Sequence, residues 1–417
     1  MMFDRPPRES EAGSWGYALF WAGLTFVTVP YVGVGVSYVT KNLGAGFFTY
    51  KVAALVVLAV AVSLFLIRHR VTLSSCLWLL GIAGLIIYLT FGLAGGSPVE
   101  AVHYVQYGTL SILLFRAFSH RVRDYSIYVA VILTGTLTGI VDETIQWLTP
   151  TRVFDLRDVW LNFKATTLVQ IGLAAGIRPG LISGLPGWAS LRRLCYLSAL
   201  TLGCLGLCLQ NTPDRIAWYS ANVPGLGFID PTRNIMVEYG YLHGDDSKVS
   251  FRSRLPLEEL RRSNDGYAED GAMNLDTVHE RASRGTFSLG DYRFVDTYLY
   301  EGRLHQIRRD QNRKRAESSA TEEIRARQFA AAHWENVILT DHFSEILRGT
   351  RYEWSPETEI DVRTSADLNT VYTSSISTHL VVVFSRRQTA LLSFGGVIFL
   401  ITSGMFCRWM SQRREAT

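Results

Sequence analysis

Residues 125–162 read YSIYVAVILTGTLTGIVDETIQWLTPTRVFDLRDVWLN. The stretch is uncharged from Tyr125 to Val141, and then Asp142 and Glu143 arrive together. Pro150 and Arg152 follow, and Asp155, Arg157 and Asp158 open a second helical pattern. A helix crossing the hydrocarbon core needs about 20 mostly apolar residues. Residues 125–148 therefore read as a span that ends in charge, joined by a short polar turn to a second span at 158–177. Pro150 is expected to stop the first helix.

Working outward, the same criterion selects segments at roughly 15–38, 50–67, 74–95, 98–118, 191–210 and 388–408, which makes about eight spans. The first is too long for the apolar region of a signal peptide and is read as retained. Positive charge then orients the bundle. Arg68, Arg70, Arg116, Arg121, Arg123, Arg178, Arg192, Arg193 and the tail arginines Arg408, Arg413 and Arg414 all fall on one side of an eight-span path. Arg386 and Arg387 fall on the other side and are outweighed. The expected fold is an all-α polytopic membrane helix bundle with both termini cytoplasmic and an extracytoplasmic α+β domain inserted before the last span. The boundaries are 1–49 for the tail and first span, 50–180 for the core, 181–210 for the seventh span, 211–386 for the inserted domain, and 387–417 for the last span and basic tail.

Composition supports two materials in one chain. The whole has 417 residues, 48% hydrophobic and 19% charged, with a net charge of +4. Soluble domains carry roughly 25% charged residues. Residues 1–210 and 387–417 hold 19 Lys/Arg and 10 Asp/Glu, whereas residues 211–386 hold 22 and 27. This excludes a disordered chain and a small disulfide scaffold. No block has the basic footprint of a nucleic-acid binder. All five Cys fall in spans or at their ends, so the inserted domain has none. In that domain, residues 234–242 and 248–254 read as strands around Gly244-Asp245-Asp246, 292–309 as a hairpin around Glu301-Gly302, 320–347 as a long helix, and 377–384 as a buried strand. Its histidines (His243, His279, His305, His333, His342, His379) lack ligand spacing and read as core or surface residues. The basic run Arg308-Arg309 with Arg313-Lys314-Arg315 reads as a solvated loop.

Charge is scarce in the membrane part, so its placement is informative. Half of its acids, Glu100, Asp142, Glu143, Asp155 and Asp158, sit at the same expected ends of spans 4, 5 and 6. Polar residues recur at helical spacing on each of these spans. The stripes are Glu100, His103 and Tyr107; Thr134, Thr138, Asp142 and Gln146; and Asp158, Asn162, Thr166 and Gln170. Three such stripes are expected to face one another. Gly135/Gly139 and Gly172/Gly176 are small-xxx-small pairs expected to bring spans 5 and 6 close. Arg152 is the expected counter-charge of the acids. Asp155 and Asp158 also suit the start of a helix.

The run from Asp142 to Asn162 resembles the signature of the VanZ-like family: an acidic pair, Gln three residues on at Gln146, Pro-x-Arg at 150–152, then Asp158 and Asn162 four apart. His103, Tyr107 and Leu110 are similar to that family's His…Tyr-x-x-Leu helix. The resemblance covers about residues 50–180 and makes that segment a VanZ-like membrane core. Ala165 stands where the family usually has Gly, and Lys164 is unusual at the start of a span. The resemblance implies an integral protein of the bacterial cell envelope, in a family named for low-level resistance to the glycopeptide teicoplanin. Some relatives lie near surface-polysaccharide genes.

The residues leave three uses of the cluster open. It binds a lipid-linked or envelope glycan molecule, with Arg152 as an anion clamp, Asp142 and Glu143 as acceptors and His103 as a donor. Alternatively it is catalytic, with His103 and Asp142 or Glu143 as a general acid/base pair. In the third reading it is a satisfied network that only locks helices. No metal-binding or nucleophile motif accompanies it, so no cofactor or metal is expected. The expected partners are membrane lipids, an envelope ligand and a protein docking on the inserted domain.

Overall fold

The structure is a computed structural model that describes residues 7–44, 46–93, 98–149, 152–244, 248–270, 274–283 and 296–416. The chain is mostly helical and divides into two compact units, Met1–Asn211 with Thr389–Thr417, and Thr212–Gln388.

The first unit contains α1 (Glu11–Leu43), α2 (Gly46–Leu66), α3 (Leu73–Leu93), α4 (Val102–Phe118), α5 (Ser126–Leu148), α6 (Leu156–Ile171) and α7 (Trp188–Leu209), together with most of the C-terminal helix Arg386–Ala416. Among the described residues six helices are long and apolar enough to cross a membrane: α1, α2, α3, α5, α7 and Arg386–Arg413 of the C-terminal helix. Helices also stand at the other two expected segments, but α4 has 17 residues and α6 has 16. A 3-10 turn at Pro98–Ala101 leads into α4, and a π turn at Gly172–Ile177 extends α6. These two are the inner helices. They pack on each other and both pack on α5, while α1 lies on α4, α7 on α5, and α2 on α3. Helix α5 is the most enclosed of the six, 44% buried across its apolar window against 11–22% for the others. Large apolar side chains such as Phe20, Val27, Leu58, Leu80 and Phe399 face outward. That is the arrangement expected when the surrounding solvent is itself apolar.

Small residues set the spacing. A Cβ added at Gly139 would lie 2.9 Å from the Asn162 side chain, and one at Gly135 would lie 2.8 Å from Thr166. The Gly135/Gly139 pair thus brings α5 against α6, as its spacing implies. The Gly172/Gly176 pair does not do so. Gly172 faces Ile82 and Gly176 faces Leu79, so this pair receives α3. The reason is rotational: Gly172 lies six residues beyond Thr166, about 240° around the helix, so it is turned away from the face that meets α5. Helix α7 meets the C-terminal helix through Gly206 against Ser393 and Gly404 against Tyr196.

The first helix is fastened to α4. Ser10 caps α1 by accepting from the Gly13 amide, and Glu9 receives Arg116 bidentately at 2.6 and 2.7 Å. Ser14 Oγ lies 3.0 Å from His120 Nε2, and the Trp21 indole donates to the Gln106 carbonyl at 2.9 Å.

The second unit has α8 (Pro213–Asn222), β1 (Glu238–Tyr239), β2 (Tyr241–His243), β3 (Val249–Ser253), α9 (Leu257–Asp270), α10 (Leu275–Ser283), α11 (Thr297–Glu317), α12 (Glu322–His342), α13 (Ser344–Leu347), α14 (Pro356–Ser365), β4 (Tyr372–Ser375) and β5 (Leu380–Val381). Among the described residues the strands form two small sheets. Strand β1 pairs parallel with β5, and β3 pairs antiparallel with β2 and parallel with β4. The core is Phe251, Leu260, Leu299, Leu339, Phe343 and Ile346, with neighbours from α9 to α13.

Several sequence expectations change here. The hairpin expected at 292–309 is instead the start of α11; residues 292–295 lie outside the described residues. Gly302 is not a turn residue: it sits mid-helix, where a Cβ would collide with Ile346 and Phe343. The basic run 308–315 lies on the same helix, and Arg309 is fully buried. The long helix at 320–347 is α12 followed by α13. The strand expected at 234–242 divides at Gly240, where a Cβ would meet the Ser253 carbonyl. The strand expected at 377–384 pairs only at Leu380–Val381. Gly244 does turn, with φ +108, while Asp245 and Asp246 lie outside the described residues, as does Pro150.

The α5–α6 contact yields a prediction. Overpacking a tight core costs typically 1–3 kcal/mol. Gly139→Ala should therefore lower the thermal unfolding temperature of the detergent-solubilised protein, by about that free energy. Gly33→Ala, where a Cβ meets nothing within 4 Å, should leave it unchanged.

Candidate functional site

The acidic residues gather where the N-terminal ends of α4 and α6 meet the C-terminal end of α5. Each stripe does face the others. On α4, His103 Nδ1 lies 2.8 Å from Asn162 Oδ1, so α4 is tied to α6. Tyr107 donates its hydroxyl to Asp142 Oδ2 at 3.0 Å, tying α4 to α5. The His103 and Tyr107 rings stack with centroids 6.2 Å apart. Asn162 in turn lies on Gly139. Deeper in, Ser111 donates to the Thr166 carbonyl at 3.3 Å, and Gln170 donates to Ser111 Oγ at 2.7 Å. Tyr107, Asp142, Glu143, Gln146 and Asn162 are all buried.

The arginines are used differently from expectation. Arg152 donates to Gln146 Oε1, 3.0 Å from its Nε, and Gln146 passes the contact on by donating from Nε2 to Glu143 Oε1. Arg152 therefore reaches the acids through an amide. The direct counter-charge is Arg157, which the sequence reading had not singled out. It pairs with Asp155 Oδ2 at 3.0 Å and with Glu100 Oε1 at 3.4 Å. Asp155 also caps α6 by accepting from the Arg157 amide at 2.8 Å, while its own amide donates to Glu143 Oε2 at 3.0 Å. Glu143 thus has both oxygens engaged. The signal for Arg157 was present in the spacing, because a residue two beyond an N-cap acid lies over its carboxylate.

His103 does not pair with Asp142 or Glu143. Its nearest acid is Asp158, with Nε2 and Oδ2 3.7 Å apart. The catalytic alternative pairs His103 with Asp142 or Glu143, whereas the ion pair within 4.0 Å of His103 among the described residues is to Asp158. Among the described residues no group of His, Cys, Asp and Glu side chains is arranged to hold a metal ion.

Three polar atoms stay open. Asp142 Oδ1, Asp158 Oδ1 and Asn162 Nδ2 are buried and carry no hydrogen bond among the described residues. They belong to the three residues that surround His103 and its stacking partner. An unmade hydrogen bond at a buried polar group costs about 1–3 kcal/mol, so three around one ring are a strong demand for a partner. The acids here (Glu100, Asp142, Glu143, Asp155, Asp158) outnumber the arginines (Arg152, Arg157), and the unmet demand is mainly for donors.

A second buried polar cluster lies in the 212–388 unit. His305 Nδ1 is 2.7 Å from Glu335 Oε2, and Ser374 and Tyr372 both donate to Glu335 Oε1. Glu301 accepts from Ser253 Oγ and from the Arg254 amide, and Arg254 forks onto Glu238 at 2.8 and 3.0 Å. Ser374 lies on the same ring nitrogen of His305 as Glu335, 3.3 Å away. A hydrolytic triad places its nucleophile on the opposite nitrogen. The cluster joins α11, α12 and β4, and His305 Nε2 is buried without a partner among the described residues.

Burial pushes the Glu335 carboxyl up, but the His305 charge and the bonds from His305, Ser374 and Tyr372 outweigh it and hold the group below the usual range. A carboxyl held low in the folded state stabilises it above the unfolded pKa, and that stability is lost as pH falls through the folded value. Burial instead raises Glu301, whose contribution has the opposite sign and cancels in a comparison of two proteins that share it. Wild type should therefore lose amide-exchange protection in 297–317 and 372–375 on acidification below the ordinary glutamate range. Glu335→Gln should be less protected at neutral pH, and its protection should vary less over that range.

Comparison with protein-family models, with curated proteins and with solved structures finds no match to this chain.

Proposed function

We propose that the chain is a multi-pass protein of the bacterial inner membrane whose VanZ-like core binds the polar group of a lipid-linked or cell-wall saccharide at the outer leaflet. In this reading α4 and α6 complete eight spans, both termini are cytoplasmic, and the 212–388 unit is extracytoplasmic and available to a protein partner. The observation that carries the reading is the set of open atoms Asp142 Oδ1, Asp158 Oδ1 and Asn162 Nδ2 beside His103. Carboxylate acceptors with one amide donor suit a ligand rich in hydroxyls, as a saccharide is. In this reading Asp142, Asp158, Asn162 and His103 carry the binding, while Arg152 holds Gln146. The expected phenotype is altered susceptibility to envelope antibiotics, teicoplanin among them.

A second reading is favoured by Glu143, both of whose oxygens are satisfied within the bundle. There the cluster only locks α4, α5 and α6. One experiment separates the two. A strain lacking the gene is profiled against envelope antibiotics and rescued with wild type, Asp158→Asn or Asn162→Ala. A hydrogen bond to a charged group is worth about 1.5–3 kcal/mol, so the binding reading predicts variants made at wild-type level that fail to rescue. Variants that fold and rescue fully sink it. Variants that fail only because they unfold or disappear support the lock.

A further inference from the structure

The opposite end of the first unit holds a cavity of about 320 Å³ that the polar cluster does not use. Four elements line it, and each contributes in the same order. Helix α1 gives Glu11 and, one turn further in, Trp15. Helix α5 gives Ser126 and then Ala130, and α7 gives Arg193 and then Leu197. The segment leaving α4 gives Arg121, with Phe118 one turn back along the helix. Residues four apart on a helix lie one above the other. The cavity therefore has Glu11, Arg121, Ser126 and Arg193 toward one end and Trp15, Phe118, Ala130 and Leu197 along the helices.

Charge at the rim is specific. Arg121 is closed onto Glu11 at 2.6 Å. Arg193 has no carboxylate within 4.0 Å among the described residues; its Nε donates weakly to the carbonyl of Ala189 on its own helix at 3.3 Å. Asp124, behind the rim, is already engaged by the Ser126 amide at 2.9 Å and by Ser190 Oγ at 2.6 Å. Asp124 lies close enough to offset part of the Arg193 charge, but its oxygens are taken, and the Arg193 Nη1 and Nη2 groups make no hydrogen bond among the described residues, which leaves both donors for one phosphodiester. Guanidinium and phosphate pair bidentately, and basic pockets between helices at the cytoplasmic side are suited to lipid head groups. The volume falls in the range of small-ligand sites, about 300–1,000 Å³.

We propose that this cavity is a phospholipid site, with the phosphate held by Arg193 at the rim and the start of an acyl chain lying along Trp15, Phe118 and Leu197. The proposal rests on the membrane-spanning reading of the helices but not on the saccharide site. The test uses the full-length protein in detergent, followed by native mass spectrometry and thermal unfolding. Phosphatidylglycerol, diacylglycerol with the same chains, and inorganic phosphate are added separately. Phosphatidylglycerol should bind with one molecule retained and raise the unfolding temperature, and diacylglycerol should bind about tenfold more weakly. Arg193→Gln should lose about tenfold in phosphatidylglycerol retention, Arg193→Lys should lose less, and Arg68→Gln, at a different loop, should lose nothing. Equal retention of diacylglycerol, or an Arg193→Gln protein that retains phosphatidylglycerol as wild type does, overturns the proposal. Stabilisation by inorganic phosphate equal to that by the phospholipid overturns the lipid as the source of the phosphate. A chain that is soluble without detergent would instead remove the membrane reading on which the proposal stands.

Discussion

The first unit depends on the contact between Gly139 of α5 and Asn162 of α6. The absence of a side chain at Gly139 lets Asn162 lie against the α5 backbone, and Gly135 does the same for Thr166 one turn deeper. In lipid the hydrophobic effect does not drive helices together, so close packing and interhelical hydrogen bonds must do so. The two glycines provide the first. They also place Asn162 where His103 of α4 can reach it at 2.8 Å and put Thr166 over Ser111. The three helices are thereby held in the one rotation that turns all their polar stripes inward. A membrane hydrogen bond is worth only about 0.6–2 kcal/mol. The arrangement is specified by several such bonds acting on helices already brought close.

Buried acids are handled differently in the two units. In the 212–388 unit, basic side chains meet carboxylates directly: Arg254 forks onto Glu238, and the His305 ring sits on Glu335. In the membrane unit, Glu143 accepts from an amide side chain and a backbone N–H, and Asp142 accepts from a tyrosine. Gln146 acts as the adaptor, facing Glu143 with its NH2 and Arg152 with its oxygen. Neutral donors satisfy a carboxylate oxygen without bringing a second desolvated ion into the helix interior, where charge is expensive. Arg157 meets Asp155 and Glu100 only at the rim, where it is 66% exposed.

How much of this was legible depended on whether a local period carried it. The polar stripes, the Gly135/Gly139 contact and the helix ends at Asp155 follow from i, i+3 and i+4 spacing, which the sequence displays. The partner of Arg152 does not follow, because Gln146 and the acids are near enough in sequence to compete for it and only the turn geometry decides. The Gly172/Gly176 contact goes to α3 because Gly172 lies about 240° around the helix from Thr166, a rotation that small-xxx-small spacing alone does not encode. Helix α11 was hidden for a further reason. Its inward positions Glu301, His305 and Arg309 are polar at successive four-residue steps and all fully buried. An amphipathic reading takes such a face for the solvent side and sees Glu-Gly as a turn. The 17- and 16-residue lengths of α4 and α6 belong to the same class, since helices sheltered by neighbours need not meet the apolar length of lipid-facing ones.

The two candidate sites occupy opposite ends of α5, and the packing between them decides how they relate. Ser126 lines the arginine-rimmed cavity and Asp142 lies in the acidic cluster, sixteen residues on, which at 1.5 Å per residue is roughly 24 Å. A polar stripe runs along much of that distance. It is closed at mid-depth, where Thr166 lies on Gly135, Ser111 donates to the Thr166 carbonyl, and Gln170 donates to Ser111. Thr134 and Thr138 return their hydroxyls to α5 itself, at Ala130 and Thr134. These bonds spend most of the mid-depth polar groups on α4, α5 and α6, with Gln170 Oε1 left without a partner among the described residues. The acidic end then keeps open carboxylate acceptors at Asp142 and Asp158, and the arginine end keeps open guanidinium donors at Arg193.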